Sequence, residues 1–580
     1  MRIFKDLSWF FKKSWKEYLF GVGSLILISI LSIIPPRILG YVIDLINDKS
    51  LNVKTLLYLM AVILILSIIM YALRYIWRIF ILGSSLRLQK ELRQSLFDHF
   101  TKMSSNFFQK YRVGDLMAHA TNDLKSIERV AGFGVLQLAD SISLGISVFV
   151  SMLLIDVKLA LFILIPTPFL LFGSQILSKQ IHRTFSTAQA AFSEMNNRMH
   201  ENVSGIKVTK TFGQEQEVIA AFSEEIESVY KKNMNVIKYD AAFDPLIVLI
   251  IVCSFAILFI IGGQQIDRGL LTIGELVAFV NYMYMLIWPM LALGFLFNTV
   301  ERGNVSYKRI KVLLNTPAEI IDHDKVKEET IFKDLKINII NFKYKEAKTS
   351  ALKNINVELK EKQTLGIVGK TGSGKSTIIK LILREYDNFE GFINLNDQDI
   401  KDYALNNYHN FFGYVPQDQF LFSLSVADNI RFGKKDATLE EVIEAAKMAC
   451  VHDDIIGFEH GYETVVGERG VSLSGGQKQR ISIARALLLN PKILILDDAL
   501  SAVDAKTETR ILDSLRTTRQ NNSTIIIAHR LSAIKEAKEI IVLDQGEIKE
   551  RGNHEELITN DGWYANIYRQ QELYGVEEGE

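Results

Sequence analysis

Cysteine is nearly absent from the chain: Cys253 sits in an apolar run and Cys450 in the polar half, two among 580 residues. The two lie too far apart in character to suggest a disulfide framework or a metal site. An excess of either charge is missing too, because 66 basic residues balance 66 acidic ones. A basic face for nucleic acid, and with it a nucleic-acid partner, is not expected. Nor is a cleavable leader, since the first apolar run is too long and lacks a small-residue exit site. Length excludes a single hydrophobic core, so at least two domains are expected.

What the chain has in abundance is long uncharged sequence, almost all of it in the first half. Six segments meet or approach the about 20 apolar residues that span a bilayer: Tyr18–Ile43, Thr55–Leu73, Ser141–Ile155, Leu159–Leu177, Pro245–Ile266 and Leu276–Val300. One alone could be a buried core helix, but six in succession point to a membrane domain. Arg2, Lys5, Lys12, Lys13 and Lys16 precede the first segment, and this basic excess places the N-terminus in the cytoplasm. Six spans then return the C-terminal half to the same side, where ATP is found. The stretches 74–140 and 178–244 are charged and amphipathic, as in "LRLQKELRQSLFDHF" (86–100), so the spanning helices are expected to continue into the cytoplasm and turn there. Pro289 and the Pro35-Pro36 pair are expected kinks.

Pro317 and the charged run "DHDKVKEE" (322–329) read as a linker. The organisation expected is a transmembrane domain over 1–315, a linker over 316–332 and a nucleotide-binding domain over 333–580. In that last part "LGIVGKTGSGKST" (365–377) is a short apolar strand, a glycine-rich loop and a helix start. Gly369, Lys370, Thr371, Gly372, Ser373, Gly374, Lys375, Ser376 and Thr377 fit the loop whose backbone N–H groups cradle phosphate. Lys375 suits the β- and γ-phosphates of ATP, and Ser376 suits Mg²⁺. "ILILDD" (493–498) is the expected partner strand, with Asp497 placed to hold Mg²⁺.

These two elements fit any P-loop nucleotidase, and "LSGGQ" (473–477) narrows the choice. It resembles the signature of ATP-binding cassette (ABC) proteins, with further family elements in the family's order. Tyr344 in "NFKY" looks like the adenine-stacking aromatic, and Gln417 in "YVPQDQ" like the Q-loop glutamine that faces Mg²⁺. "VGERG" (466–470) is similar to the X-loop of exporters, Asp504 in "SAVD" to the D-loop aspartate, and His529 in "IIIAHR" to the H-loop histidine on the γ-phosphate. "FFQKYRVGDLMAHATND" (107–123) and "SGIKVTKTFGQE" (204–215) resemble the intracellular loops of ABC exporters. The resemblance covers about residues 8 to 573. It implies an all-α six-helix transmembrane domain with long cytoplasmic helical extensions, followed by an α/β P-loop nucleotide-binding domain. In that family Ser474, Gly475, Gly476 and Gln477 serve ATP held by a second domain, so one such domain per chain implies a dimer of half-transporters.

Most exporters of the family carry a glutamate after the magnesium-holding aspartate, as general base for the attacking water; here the residue is Asp498. Its carboxylate is one methylene shorter, and displacement of about 1 Å can cost ~10²-fold in rate. The pattern of Asp498 with an intact signature resembles one subunit of heterodimeric multidrug exporters, in which the Lys375, Asp498 and His529 site is slow and the signature works at the productive one. A backbone adjustment or an extra water could compensate, which leaves a homodimeric lipid flippase open. An ATP-gated channel or regulatory ABC protein is a further alternative. Tyr282, Tyr284, Trp288 and Phe295 could form a substrate wall for hydrophobic small molecules in the cell membrane, although helix packing and lipid contact explain such residues equally well.

Overall fold

The computed structural model describes residues 2–320, 331–345, 347–467 and 473–577. Glu468, Arg469 and Gly470 of the "VGERG" stretch and residues 321–330 of the linker lie outside the described residues. The chain divides into two compact units, Met1–His99 with Gly114–Thr316, and Phe100–Val113 with Pro317–Glu580.

The first unit is helical. Among the described residues, five of its helical runs are long and apolar enough to cross a membrane: Trp15–Asn47, Val53–Phe100, Val113–Ile155, Glu215–Asp267 and Ile273–Leu314. The fourth expected segment, Leu159–Leu177, is built differently, as helices Val157–Leu164 and Thr167–Ser204 that part at Ile165 and Pro166. Proline has no N–H to donate and its ring clashes with the preceding turn, which accounts for the interruption. The 48 residues of Val53–Phe100 extend about 72 Å at 1.5 Å per residue, more than twice a hydrocarbon core of about 30 Å. Its charged end, Gly83–Phe100, is the part that continues beyond the apolar stretch. None of the residues Val53–Trp77 is buried by the protein itself, so lipid or a partner must cover them.

Two local devices hold this bundle. Pro35 and Pro36 begin a new helix, Ile34–Asn47, after Trp15–Ser32 ends, and the carbonyl of Ile33 at that break accepts the Tyr282 hydroxyl at 2.9 Å. A freed backbone group at membrane depth is thereby satisfied by a side chain. Through Pro289, by contrast, Ile273–Leu314 runs on as one helix. The second device is a backbone-to-backbone crossing: a Cβ on Gly274 would lie 2.0 Å from the Gly40 carbonyl oxygen, and one on Gly40 would lie 2.4 Å from that of Gly274. The closeness lets Asp44 reach the start of the last helix, accepting from the Gly274 N–H at 2.7 Å and from the Thr272 hydroxyl at 2.8 Å. Thr272 and Glu275 complete a capping box there.

The second unit contains two sheets. Asp334–Phe342 lies between Leu352–Lys360 and Phe389–Leu395 in an antiparallel sheet that ends on Gln398–Asp399. The larger sheet runs in the order Glu547–Gly552, Glu539–Asp544, Thr364–Gly369, Ser523–Ile527, Ile493–Asp497, Phe412–Val415, and all but the first of these are parallel. Ile493–Asp497 and Ser523–Ile527 are buried at every position, as strands covered on both faces must be. The short segment Phe100–Val113 was expected within the transmembrane domain, and the structure assigns it to this second unit. Polar pairing explains the difference: Asn106 and Ser104 donate to Glu319 at 2.7 and 3.0 Å, Ser105 to Glu385 at 2.7 Å, and Gln109 to the Tyr386 hydroxyl at 3.0 Å.

Gly274→Val is expected to destabilise the bundle by about 1–3 kcal/mol, because the methyls must displace backbone rather than a flexible side chain. Gly263→Ala, in helix Phe243–Asp267 with open space around its Cβ position, should stabilise by about 0.5–1 kcal/mol. Thermal unfolding of the detergent-purified variants checks both signs.

Candidate functional site

Five loops that leave the carboxyl ends of the parallel strands meet around one cavity of about 650 Å³. This is where an open α/β sheet binds ligands, because neighbouring connections diverge there and leave a crevice. Thr371, Gly372, Gly374, Lys375, Ser376 and Thr377 contribute the floor, Gln417 and His529 stand at its rim, and Asp497, Asp498 and Tyr344 line it. Residues from four of the expected motif elements, Tyr344, Gln417, the Asp497–Asp498 pair and His529, thus converge on the glycine-rich loop.

That loop has the shape its glycines allow. Gly369 has φ +148° and Gly374 φ +101°, and a Cβ on Gly369 would lie 2.1 Å from the Leu543 carbonyl oxygen. Only glycine fits such a turn. Lys375 is buried at the first position of helix Lys375–Ile382, with its ammonium held over the loop by the carbonyls of Gly369 at 2.9 Å and Lys370 at 3.0 Å. Burial pushes its pKa down, against the opposing pull of Asp498 and Asp497. Ser373 is buried within the turn, and its carbonyl accepts the Gly546 N–H at 3.1 Å.

Asp497 ends the strand Ile493–Asp497 and is 4 % exposed. The Ser376 hydroxyl donates to one carboxylate oxygen at 3.0 Å and the Tyr414 hydroxyl approaches the other at 3.4 Å. Burial raises its pKa, with those hydrogen bonds working in the opposite direction. A serine hydroxyl paired with a buried carboxylate is a hard-oxygen donor set, which fits a magnesium ion that takes one or two protein oxygens and completes its shell from phosphate and water. Tyr344 bonds the Thr377 hydroxyl at 3.0 Å and packs edge-on against Phe342 and Tyr386, which leaves the cavity side of its ring for an apolar, flat ligand group.

Asp498 adopts φ +50°, a left-handed conformation that aspartate tolerates better than most residues. Its N–H donates to the Ile527 carbonyl at 3.0 Å, and its own carbonyl accepts the Ser501 hydroxyl at 2.9 Å. His529 follows the adjacent strand and is exposed, while its carbonyl accepts from Gln571 at 2.8 Å.

Ser474, Gly475, Gly476, Gln477 and Asp504 do not line this cavity. Ser474 caps helix Gly475–Leu488, and Gln477 closes the capping box while also donating to Asp454 at 3.2 Å. Ser474 and Gly475, at the start of that helix, are exposed. Asp504 caps Ala505–Thr518, and the Thr507 N–H holds its carboxyl below the usual range. In the helical unit Tyr284, Trp288 and Phe295 share one face, exposed by 58 %, 58 % and 53 %, whereas Tyr282 is 2 % exposed and bonded to Ile33. Tyr282 is therefore a packing residue and does not belong with the other three. Sequence reading passed over Tyr414 and the walls supplied by Ala347, Thr349–Ala351 and Gln545–Gly546. Tyr414 carried a signal, three residues before Gln417 at a strand end; the wall loops come from distant sequence and carried none.

A P-loop nucleotide-binding unit joined in one chain to a membrane-spanning helical unit defines the class. Residues 18–290 match the family described as "ABC transporter transmembrane region", and residues 352–501 match "ABC transporter". The chain is 43% identical over 576 residues to "Multidrug resistance-like ATP-binding protein MdlA" of Escherichia coli (strain K12), covering 99% of this chain and 97% of that protein. It is 41% identical over 578 residues to "Probable multidrug resistance ABC transporter ATP-binding/permease protein YheI" of Bacillus subtilis (strain 168), covering 100% of this chain and 99% of that one. The solved "Structure of a bacterial Atm1-family ABC exporter with ATP bound" aligns with TM-score 0.80 at 26% identity, over 96% of this chain and 99% of the other. The chain belongs to the ABC transporter family: a multi-pass membrane protein with the half-transporter architecture, whose ATP hydrolysis is coupled to transport. The exporter fold implies that it works as a dimer.

Asp497→Asn should raise the unfolding midpoint of the nucleotide-binding unit by about 2–4 °C at pH 7. The sign follows from the raised carboxyl pKa: the folded state holds this proton more tightly than the unfolded chain, so its penalty is absent at low pH and grows as pH rises through the folded pKa. The gain in midpoint should accordingly shrink at pH 4, measured by scanning calorimetry.

Proposed function

We propose that this chain is one subunit of a heterodimeric exporter that moves hydrophobic and amphiphilic compounds, multiple drugs among them, out across the cell membrane. Residues 1–315, apart from the 100–113 segment that packs with the second unit, form its transmembrane domain and 333–580 its ATP-binding domain, which lies in the cytoplasm with the N-terminus. Two relatives with multidrug resistance in their names support the substrate class. Tyr284, Trp288 and Phe295 supply the exposed aromatic face on which such compounds would lie.

Within the ATP-binding domain Tyr344 stacks on adenine, and the 369–377 loop with Lys375 holds the triphosphate. Ser376, Asp497 and Gln417 hold Mg²⁺, which neutralises phosphate charge when bound. His529 orients the γ-phosphate, and Asp498 stands where the water-activating base belongs. Ser474, Gly475, Gly476 and Gln477, with Asp504, serve ATP held by the partner; their absence from the chain's own cavity agrees with that division.

The observation that carries the asymmetric reading is Asp498 itself, the shorter carboxylate beside an otherwise complete set of motif residues. Its own site hydrolyses slowly, while its signature completes the productive site of a partner that carries a glutamate. One observation favours a homodimeric exporter or lipid flippase: His529 is present and lines the cavity.

Purified alone, the chain should show little ATPase activity, and co-purification with its partner subunit should restore it; full turnover by the chain alone would sink the heterodimer. In the complex, Asp498→Glu should raise turnover at this site by up to about 10²-fold, the cost expected of a base misplaced by about 1 Å. An unchanged rate would mean that side-chain length is not limiting.

A further inference from the structure

His529 lines two neighbouring cavities, the nucleotide cavity and one of about 220 Å³ that also touches Asp498 and Ile527. Its side chain is exposed, and among the described residues its ring makes no hydrogen bond. The aim of the imidazole is therefore inherited from the backbone that carries it. That backbone is a short bridge: Ala528, His529 and Arg530 join the end of strand Ser523–Ile527 to the 3-10 helix Leu531–Ile534. Where a strand stops and a helix starts, carbonyls and N–H groups lose their partners within the element and must find others.

One side chain answers both needs. The Gln571 Nε2 donates to the His529 carbonyl at 2.8 Å, and its Oε1 accepts the Leu531 N–H at 2.9 Å. One bond demands a donor and the other an acceptor, so the amide has a single orientation and spans Arg530. The opposite flank is held from helix Ala505–Thr518, where Glu508, 3 % exposed, accepts from Arg530 at 2.9 Å and from the Ser532 hydroxyl at 3.0 Å.

Gln571 is delivered by the last helix, Trp563–Glu577. Tyr564, Tyr568 and Gln571 follow one another at spacings of four and three, which places them on one helix face. Tyr564 is fully buried and shares a hydrogen bond with His554 Nδ1 at 2.8 Å. The N–H groups of Trp563 and Tyr564 both donate to the Glu550 carboxylate, at 2.5 and 3.2 Å. The helix is thus seated firmly at its start, and two turns later its covered face meets the His529 backbone.

We propose that Gln571 is a positioning residue that aims His529 into the nucleotide cavity, which makes the final helix a working part of the hydrolytic site. The proposal rests on the reading that His529 orients the γ-phosphate.

Single-turnover hydrolysis of labelled ATP by the full-length chain in the assembly it forms tests this, and the phase that His529→Ala slows marks the chain's own site. In that phase Gln571→Met, which removes both bonds at similar length, should be about 10-fold slower, a fraction of the cost of a full 1 Å misplacement. Gln571→Glu keeps the acceptor for Leu531 but turns an oxygen toward the His529 carbonyl, and it should slow the phase to a similar degree. ATP affinity should stay within about two-fold in both, because the phosphate loop is untouched. In a His529→Ala background, where no imidazole is left to aim, Gln571→Met should cost less than about two-fold more. Multiplying losses in that background, or no loss from Gln571→Met in the native one, would overturn the proposal and leave His529 in its role. If His529→Ala slows no phase, the γ-phosphate reading falls and this proposal with it.

Discussion

Parallel pairing of three strands is the constraint on which the nucleotide cavity depends. Thr364–Gly369, Ser523–Ile527 and Ile493–Asp497 lie side by side with one polarity, with Asp497 in register with Ile527. Their carboxyl ends consequently open on one edge, and the glycine-rich loop, the Asp497–Asp498 pair and His529 leave from it. Reversing one strand would carry its residues to the opposite edge. A slip of one residue would turn Asp497 away from Ser376, since side chains alternate along a strand.

The charges brought together there are held under strain of solvation. Lys375 and Asp497 are both buried, and burial shifts each toward its neutral form. Neither makes a direct ion pair with the other; Lys375 is satisfied by carbonyls and Asp497 by hydroxyls. Such a site gains most from a ligand that brings its own compensating charges, a triphosphate for the lysine and a divalent cation for the aspartate.

In the helical unit the governing rule is that no backbone polar group may be left unpaired in hydrocarbon. The Pro35-Pro36 break exposes the Ile33 carbonyl, and Tyr282 answers it. Asp44 does the same for the helix start at Thr272–Gly274, which only the glycine crossing allows it to reach. Both devices tie the first spanning helix to the last, far apart in sequence.

Sequence by itself determined the class of this protein. Apolar length, the phosphate loop and the order of the motifs are local properties, written in consecutive residues, and they required no tertiary information. The departure at Asp498 was legible for the same reason. Only the tertiary structure decided that Tyr282 parts company with Tyr284, Trp288 and Phe295, that the fourth span is broken at Pro166, and that Phe100–Val113 belongs with the nucleotide-binding unit. Which face of a helix is covered, and which buried amide meets which carbonyl, depend on distant segments arriving at the same place; no run of neighbouring residues encodes that.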